Sequence, residues 1–159
     1  MKTPSKIGLG FGATSGIITT LGLIMGLAVG TQSRTAVISG ILTIAVADAL
    51  SDAFGIHVSQ ESLGKLSPKS VWQATITTFF SKFVFSATFL VPALLFDLQT
   101  ALCVSVGWGL LQIAGFTYYV ERGRGRSAVA QAMLEHLAIA VFVLLATYGV
   151  GRGIGALVR

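Results

Sequence analysis

The chain has 159 residues, 53% of them hydrophobic and only 11% charged, with a mean hydropathy of +0.82. Soluble domains carry about a quarter charged residues, so an ordinary water-soluble core is excluded, and the length fits one domain, 1–159. The formal net charge of +5 comes from cations spread over several segments, which excludes a nucleic-acid surface gathered on one face.

The apolar residues fall into five runs, each long enough for the about 20 residues a membrane-spanning helix needs. They predict helices at about 7–30, 35–57, 72–96, 98–119 and 133–157, an all-α membrane protein of five transmembrane helices. The first run is longer than the apolar region of a signal peptide and lacks a suitably placed A-x-A site, so helix one is expected to stay in the protein. It carries Gly8, Gly12 and Gly16, then Gly22, Gly26 and Gly30. Both sets step by four, and such small-residue stripes let helix backbones approach closely in lipid. Helix one is therefore either a central packing helix or the seam of a homodimer. The expectation adopted is a homodimer with helix one at or near the interface.

The second run holds the chemistry. In "ADALSDAFGIH" Asp48 and Asp52 stand four residues apart, on one helix face with Cβ atoms about 6 Å apart. Counted along a helix over 35–57, Asp48 lies just past the midplane, in the cytoplasmic half. A carboxylate at such depth costs a few kcal/mol, so both acids must face the bundle interior or a water-filled cavity. His57 and Glu61 repeat the spacing near the membrane edge, where a histidine is ordinarily a hydrogen-bonded surface residue and, close to three acids, also a candidate ligand. In helix three, Lys82 is expected at a depth comparable to the two acids, and Pro92 is expected to kink the helix. Two readings of the acids stay open: internal glue with Lys82, or a cation or proton site, since hard divalent cations prefer carboxylate oxygens. The single Cys103 reads as a small buried hydrophobe that forms no internal disulfide. Glu135 and His136 open helix five, where an acid in the first turn is explained by the helix dipole.

Cations set the expected orientation. Lys2, Lys6, Lys65, Lys69, Arg122, Arg124 and Arg126 fall on one side of a five-helix chain, and Arg34, Arg152 and Arg159 on the other. The positive-inside rule then places the N-terminus in the cytoplasm and the C-terminus outside. A compact chain without targeting extensions suggests a prokaryotic inner membrane.

"GLGFGATSGIITTLGLIMGL" resembles the first helix of the vacuolar iron transporter family, which reads approximately G-L-N-D-G-L-V-T-T-L-G. "ALSDAFGIHVSQES" resembles its second-helix segment A-L-S-M-A-A-G-E-Y-V-S, with Ala49, Leu50, Ser51, Ala53, Gly55, Val58 and Ser59 coinciding. "ATYGVGRGIG" resembles the end of its fifth helix, and Pro92 fits its proline-bearing third. The resemblance implies a dimer that exchanges ferrous iron or manganese for protons. The family's helix-one aspartate falls on Ser15 and its asparagine on Thr14; its methionine falls on Asp52, its glutamate on Ile56 and its tyrosine on His57. The larger members' cytoplasmic metal-binding domain after helix two is replaced by the short segment 58–71. The expected metal site is therefore Asp48 and Asp52 with hydroxyls from Thr14 and Ser15, a cytoplasmic gateway of His57 and Glu61, and Lys82 as counter-ion. Oxygen-only ligands favour manganese, magnesium or calcium over softer metals.

No H-E-x-x-H, no G-x-S-x-G and no nucleophile–base set is present, so the chain is not expected to be an enzyme. "GLGFGATSG" contains G-x-G but begins a membrane helix and follows no strand, so a dinucleotide reading fails. No permanently bound cofactor is expected beyond the transported cation. The alternative from another class is a non-transporting structural or regulatory membrane subunit, which the glycine stripes would serve equally well.

Overall fold

The computed structural model describes residues 3–158; Lys2 and Arg159, counted above for orientation, lie outside the described residues. The described residues are mostly helical, with no strand among them. Helix α1 spans Thr3–Thr31. The second span is α2 (Arg34–Thr43), a π-helical segment (Ile44–Asp48) and α3 (Ala49–Leu63). The third is α4 (Pro68–Ala87) followed by α5 (Leu90–Leu95). The fourth and fifth are α6 (Leu98–Glu121) and α7 (Arg126–Leu157). Among the described residues, five helices are thus long and apolar enough to cross a membrane.

Each helix outruns the apolar run that announced it. The 28 residues from Pro4 to Thr31 extend over about 42 Å at 1.5 Å per residue, against about 30 Å of hydrocarbon. The surplus turns reach headgroup level, where polar residues continue the helix at little cost. Local chemistry then stops them. Ser33 caps α2 by accepting from Ala36 N at 3.2 Å. Ser67 caps α4, with Pro68 in its first turn. Asp97 caps α6 by accepting from Thr100 N at 3.1 Å. The hydroxyl and amide of Thr100 hold the Asp97 carboxyl below its ordinary range. Gly64, at φ 63°, ends α3 in the left-handed conformation that glycine adopts without Cβ strain. Gln32 holds a positive φ of 52° after α1; its side-chain amide donates to the carbonyls of Ala28 and Val29 and satisfies that helix end.

Pro92 breaks the third span. Its ring removes one amide and crowds the carbonyl four residues back, that of Thr88. The helix answers with tighter bonds around Thr88 and Phe89: Phe89 N donates to Ser86 O and Val91 N to Thr88 O, both at 3.2 Å. The end of α5 is then clamped from the second span. Arg34 Nε donates to Ala93 O at 2.9 Å and its terminal nitrogen to Leu94 O at 2.5 Å, a cation placed on the carbonyl end of a helix.

Helix α1 is the centre of the bundle. Gly8, Gly12 and Gly16 face Ala74, Thr78 and Lys82 of α4, and Gly22, Gly26 and Gly30 face Val143, Thr147 and Gly151 of α7. Both alignments climb in step, so spans one, three and five run in the same direction. Both glycine stripes, which motivate the expected dimer seam on helix one, are filled from within the chain, the first by α4 at distances that leave no space for a side chain at Gly8 and Gly12 and the second, less tightly, by α7. A Cβ on Gly12 would stand 2.6 Å from the Thr78 carbonyl oxygen, whereas one on Gly26 would meet Thr147 O at an ordinary 3.7 Å. Around α1 the apolar core gathers Ile17, Leu21 and Ile24 with Ile41, Phe89 and Ile113; Cys103 of α6, expected to be buried, is exposed instead.

The two stripes therefore differ in tolerance. Gly12→Ala is expected to cost about 1–3 kcal/mol through backbone overpacking. Gly26→Ala is expected to be neutral or slightly stabilising, because alanine is the better helix former by about 1 kcal/mol. Thermal unfolding of the two variants in detergent reads this directly; equal melting temperatures would refute the asymmetry.

Candidate functional site

Three spans bring their buried polar residues to the same level. Lys82 sits at the midpoint of the third span and Asp48 at the midpoint of the second, with Ser15 near the middle of the first. The sequence reading put Asp48 beyond the midplane; the second span continues to Leu63 instead of ending near 57, which moves the midpoint onto Asp48.

The close approach of α1 and α4 positions the lysine. A Cβ on Gly16 would lie 3.0 Å from Lys82 O and 3.2 Å from its Cγ, so the lysine stem lies directly on the helix-one backbone. Lys82 is 0% exposed. Its ammonium reaches Asp48 Oδ2 at 2.5 Å and also contacts Asp52 Oδ2. It donates to Ser15 Oγ at 2.9 Å, and Ser15 Oγ donates to Asp52 Oδ2 at 2.7 Å. Asp48 Oδ2 is fully buried and has no aligned hydrogen bond; its contact with the ammonium is an ion pair alone. With all three groups ionised the cluster holds one negative charge in excess. Its acids are not sealed: the Asp48 side chain is 33% exposed and that of Asp52 21%.

The π-helical turn over Ile44–Asp48 serves this arrangement. The buried line of the second span runs Val37, Ile41, Ala45, Ala49, Ala53. A line repeating every fourth residue drifts about 40° per step around an α-helix. The wider π turn takes up part of that drift, so the alanines of α3 still face inward and the two aspartates stay beside α4. Such insertions are common at functional positions.

The remaining candidates are not part of the cluster. Thr14 is corrected: it is adjacent to Ser15 and therefore about 100° around the helix. Its hydroxyl donates to Gly10 O at 2.8 Å, and it lines a separate cavity of about 200 Å³ with Thr117, Glu121 and His136. His57 and Glu61 share a different cavity, of about 220 Å³, beside the α3–α4 turn. There His57 Nδ1 lies 3.0 Å from Thr75 Oγ1, and its ring packs edge-on against Trp72. The helix-dipole account of Glu135 and His136 is also corrected, because α7 begins at Arg126 and places both well inside the helix. Glu135 accepts from Gln131 at 2.9 Å, and His136 Nδ1 pairs with Thr117 Oγ1 at 2.8 Å. Sequence reasoning missed the Thr117 and Thr75 partners, which only packing reveals. Among the described residues no three His, Cys, Asp or Glu side chains converge as a metal centre.

No protein-family model, curated protein or solved structure matches the chain. The chain is defined by its fold and this cluster: an all-helical membrane bundle of five spans with a buried Asp–Lys–Asp site at mid-depth.

Removing one member of a buried ion cluster leaves the others uncompensated, a loss of about 3–5 kcal/mol, whereas replacing the whole cluster by neutral groups is often harmless. Lys82→Met is therefore expected to lower the melting temperature in detergent sharply. The triple variant Lys82→Met, Asp48→Asn, Asp52→Asn is expected to regain most of the loss. A single Lys82→Met variant as stable as wild type would show that the ammonium does not hold the three spans together.

Proposed function

We propose that the protein is a transporter that moves a divalent metal cation, iron or manganese, out of the cytoplasm in exchange for protons. The observation that carries this reading is the pair of carboxylates at mid-depth, held by one buried ammonium and still partly open. Asp48 and Asp52 supply the ligand oxygens and Ser15 a hydroxyl. Lys82 occupies the acids while no cargo is bound and withdraws when the cation arrives. Protons and metal compete for the same oxygens, and the low-dielectric surroundings make it costly to leave both acids bare. The family resemblance of helices one and two supports the same class, and the oxygen donors of the cluster favour manganese over softer metals.

Assembly belongs to this proposal. The open side of Asp48 and Asp52 looks outward from the single chain, and the neighbouring surface of the second span presents the small residues Ala47, Ser51 and Gly55. A second copy packed there would remove the carboxylates from lipid, so a homodimer is proposed through this face. The cation-rich ends carrying Lys65, Lys69 and Arg122 point to the cytoplasm by the positive-inside rule. In that orientation His57 and Glu61 stand on the cytoplasmic approach to the acids, and the membrane is proposed to be a prokaryotic inner membrane.

A structural subunit is the second reading, favoured by the complete burial of Lys82 between both acids, which is also what a lock between three spans would look like. Metal flux into proteoliposomes with an imposed pH gradient separates the two. Flux is expected to fall as the loading side is acidified, because protons then occupy the oxygens. Asp48→Asn or Asp52→Asn is expected to cut it by about tenfold or more, the equivalent of about 1.4 kcal/mol of binding. Asn variants that carry metal as fast as wild type, or a wild type that carries none, would leave the structural reading in its place.

A further inference from the structure

We propose that a groove at the cation-rich end of the bundle, between the first turns of α1 and the last turn of α6, binds the phosphate of an anionic phospholipid. This site is remote from the acid cluster and does not depend on the transport reading. The groove has a volume of about 260 Å³ and is lined by Lys6 and Arg122, by Tyr119, and by Leu9, Phe116 and Val120. Gly10 keeps its floor open, since a Cβ there would meet nothing within 4 Å.

The rim chemistry is that of a phosphate site. Neither Lys6 nor Arg122 has a carboxylate partner among the described residues. The nearest acid in sequence, Glu121, is engaged by Arg124 at 2.8 Å and leaves Arg122 unneutralised. The Arg122 guanidinium lies 4.8 Å from the Tyr119 ring centroid, a cation–π contact that fixes it at the rim. A phosphodiester oxygen between the two cations can accept from the ammonium, the guanidinium and the Tyr119 hydroxyl, and charged hydrogen bonds of this kind are the strong ones.

The walls select the rest of the ligand. Leu9 and Phe116, deeper in their helices than Lys6 and Arg122, continue the groove as apolar surface suited to an acyl chain, with Val120 beside the rim. Lys6 stands at the start of its span and Arg122 just past the end of its own, at headgroup level. Basic pockets between transmembrane helices bind anionic headgroups in this way. Two unneutralised cations also choose among lipids: a headgroup of net negative charge is attracted, whereas a zwitterionic one brings an ammonium that the rim repels.

Native mass spectrometry of the detergent-purified chain tests this with dioleoyl phosphatidylglycerol, dioleoyl phosphatidylcholine and inorganic phosphate as probes. The expected result is one phosphatidylglycerol retained per chain under conditions that strip phosphatidylcholine. Lys6→Gln with Arg122→Gln should weaken that binding about thirtyfold, the loss expected of two membrane-surface cations. Arg152→Gln, at the opposite end of the bundle, should leave it unchanged, and millimolar phosphate should not compete. Equal retention of the two lipids, an unaffected double variant, an equal loss in Arg152→Gln, or displacement by inorganic phosphate would each overturn the proposal.

Discussion

The seam between α1 and α4 is the constraint on which the rest of the bundle depends. Glycines at 8, 12 and 16 bring the two backbones together, with a would-be Cβ of Gly12 only 2.6 Å from a carbonyl oxygen of α4. In lipid no hydrophobic force drives helices together, so contact of this kind must come from packing itself. The same closeness leaves the Lys82 stem no space except along the helix-one backbone. It delivers a fully buried ammonium to the acids of the second span. Packing and charge are one device here: without the glycines, the lysine would have nowhere to lie.

That device answers a problem set by the sequence. A carboxylate at bilayer mid-depth is expensive, and this chain carries two, a helical turn apart. The ammonium contacts one oxygen of each acid and the Ser15 hydroxyl donates to that of Asp52, while one side of the cluster stays open. The cation is fully buried, while in the single chain the anions stay partly exposed, at 33% for Asp48 and 21% for Asp52.

Much of this was legible in the residues. Five long apolar runs gave five spans, since few other structures satisfy their backbone in hydrocarbon. Counting along the spans brought Lys82 to the depth of Asp48 and Asp52. The ends were less legible, because mixed segments such as 126–132, where alanines and a valine alternate with Arg126, Ser127 and Gln131, continue a helix at headgroup level with only a weak hydropathy signal; setting the start of the fifth helix near 133 misplaced Glu135 and His136. Spacing by four announced close helix contacts but not their partners, so the stripes of helix one could not be assigned to α4 and α7 in advance. Thr14 was misjudged because neighbours in sequence are far apart around a helix. The π turn left no trace in the sequence at all.

That turn makes the second span unusual in one further respect. From Ile41 to Ala53 the buried line takes twelve residues to cover three turns, which a regular α-helix completes in about eleven. The span therefore contains one residue more than its facing pattern needs. Elsewhere in the bundle, deleting a residue would swing everything beyond it about 100° out of register. Between Ile44 and Ala47 a single deletion would instead restore a plain helix, with both flanking faces still turned inward. Length variation among related chains, so rarely tolerated inside a membrane helix, has one natural place to occur here, and it lies directly beside the acids.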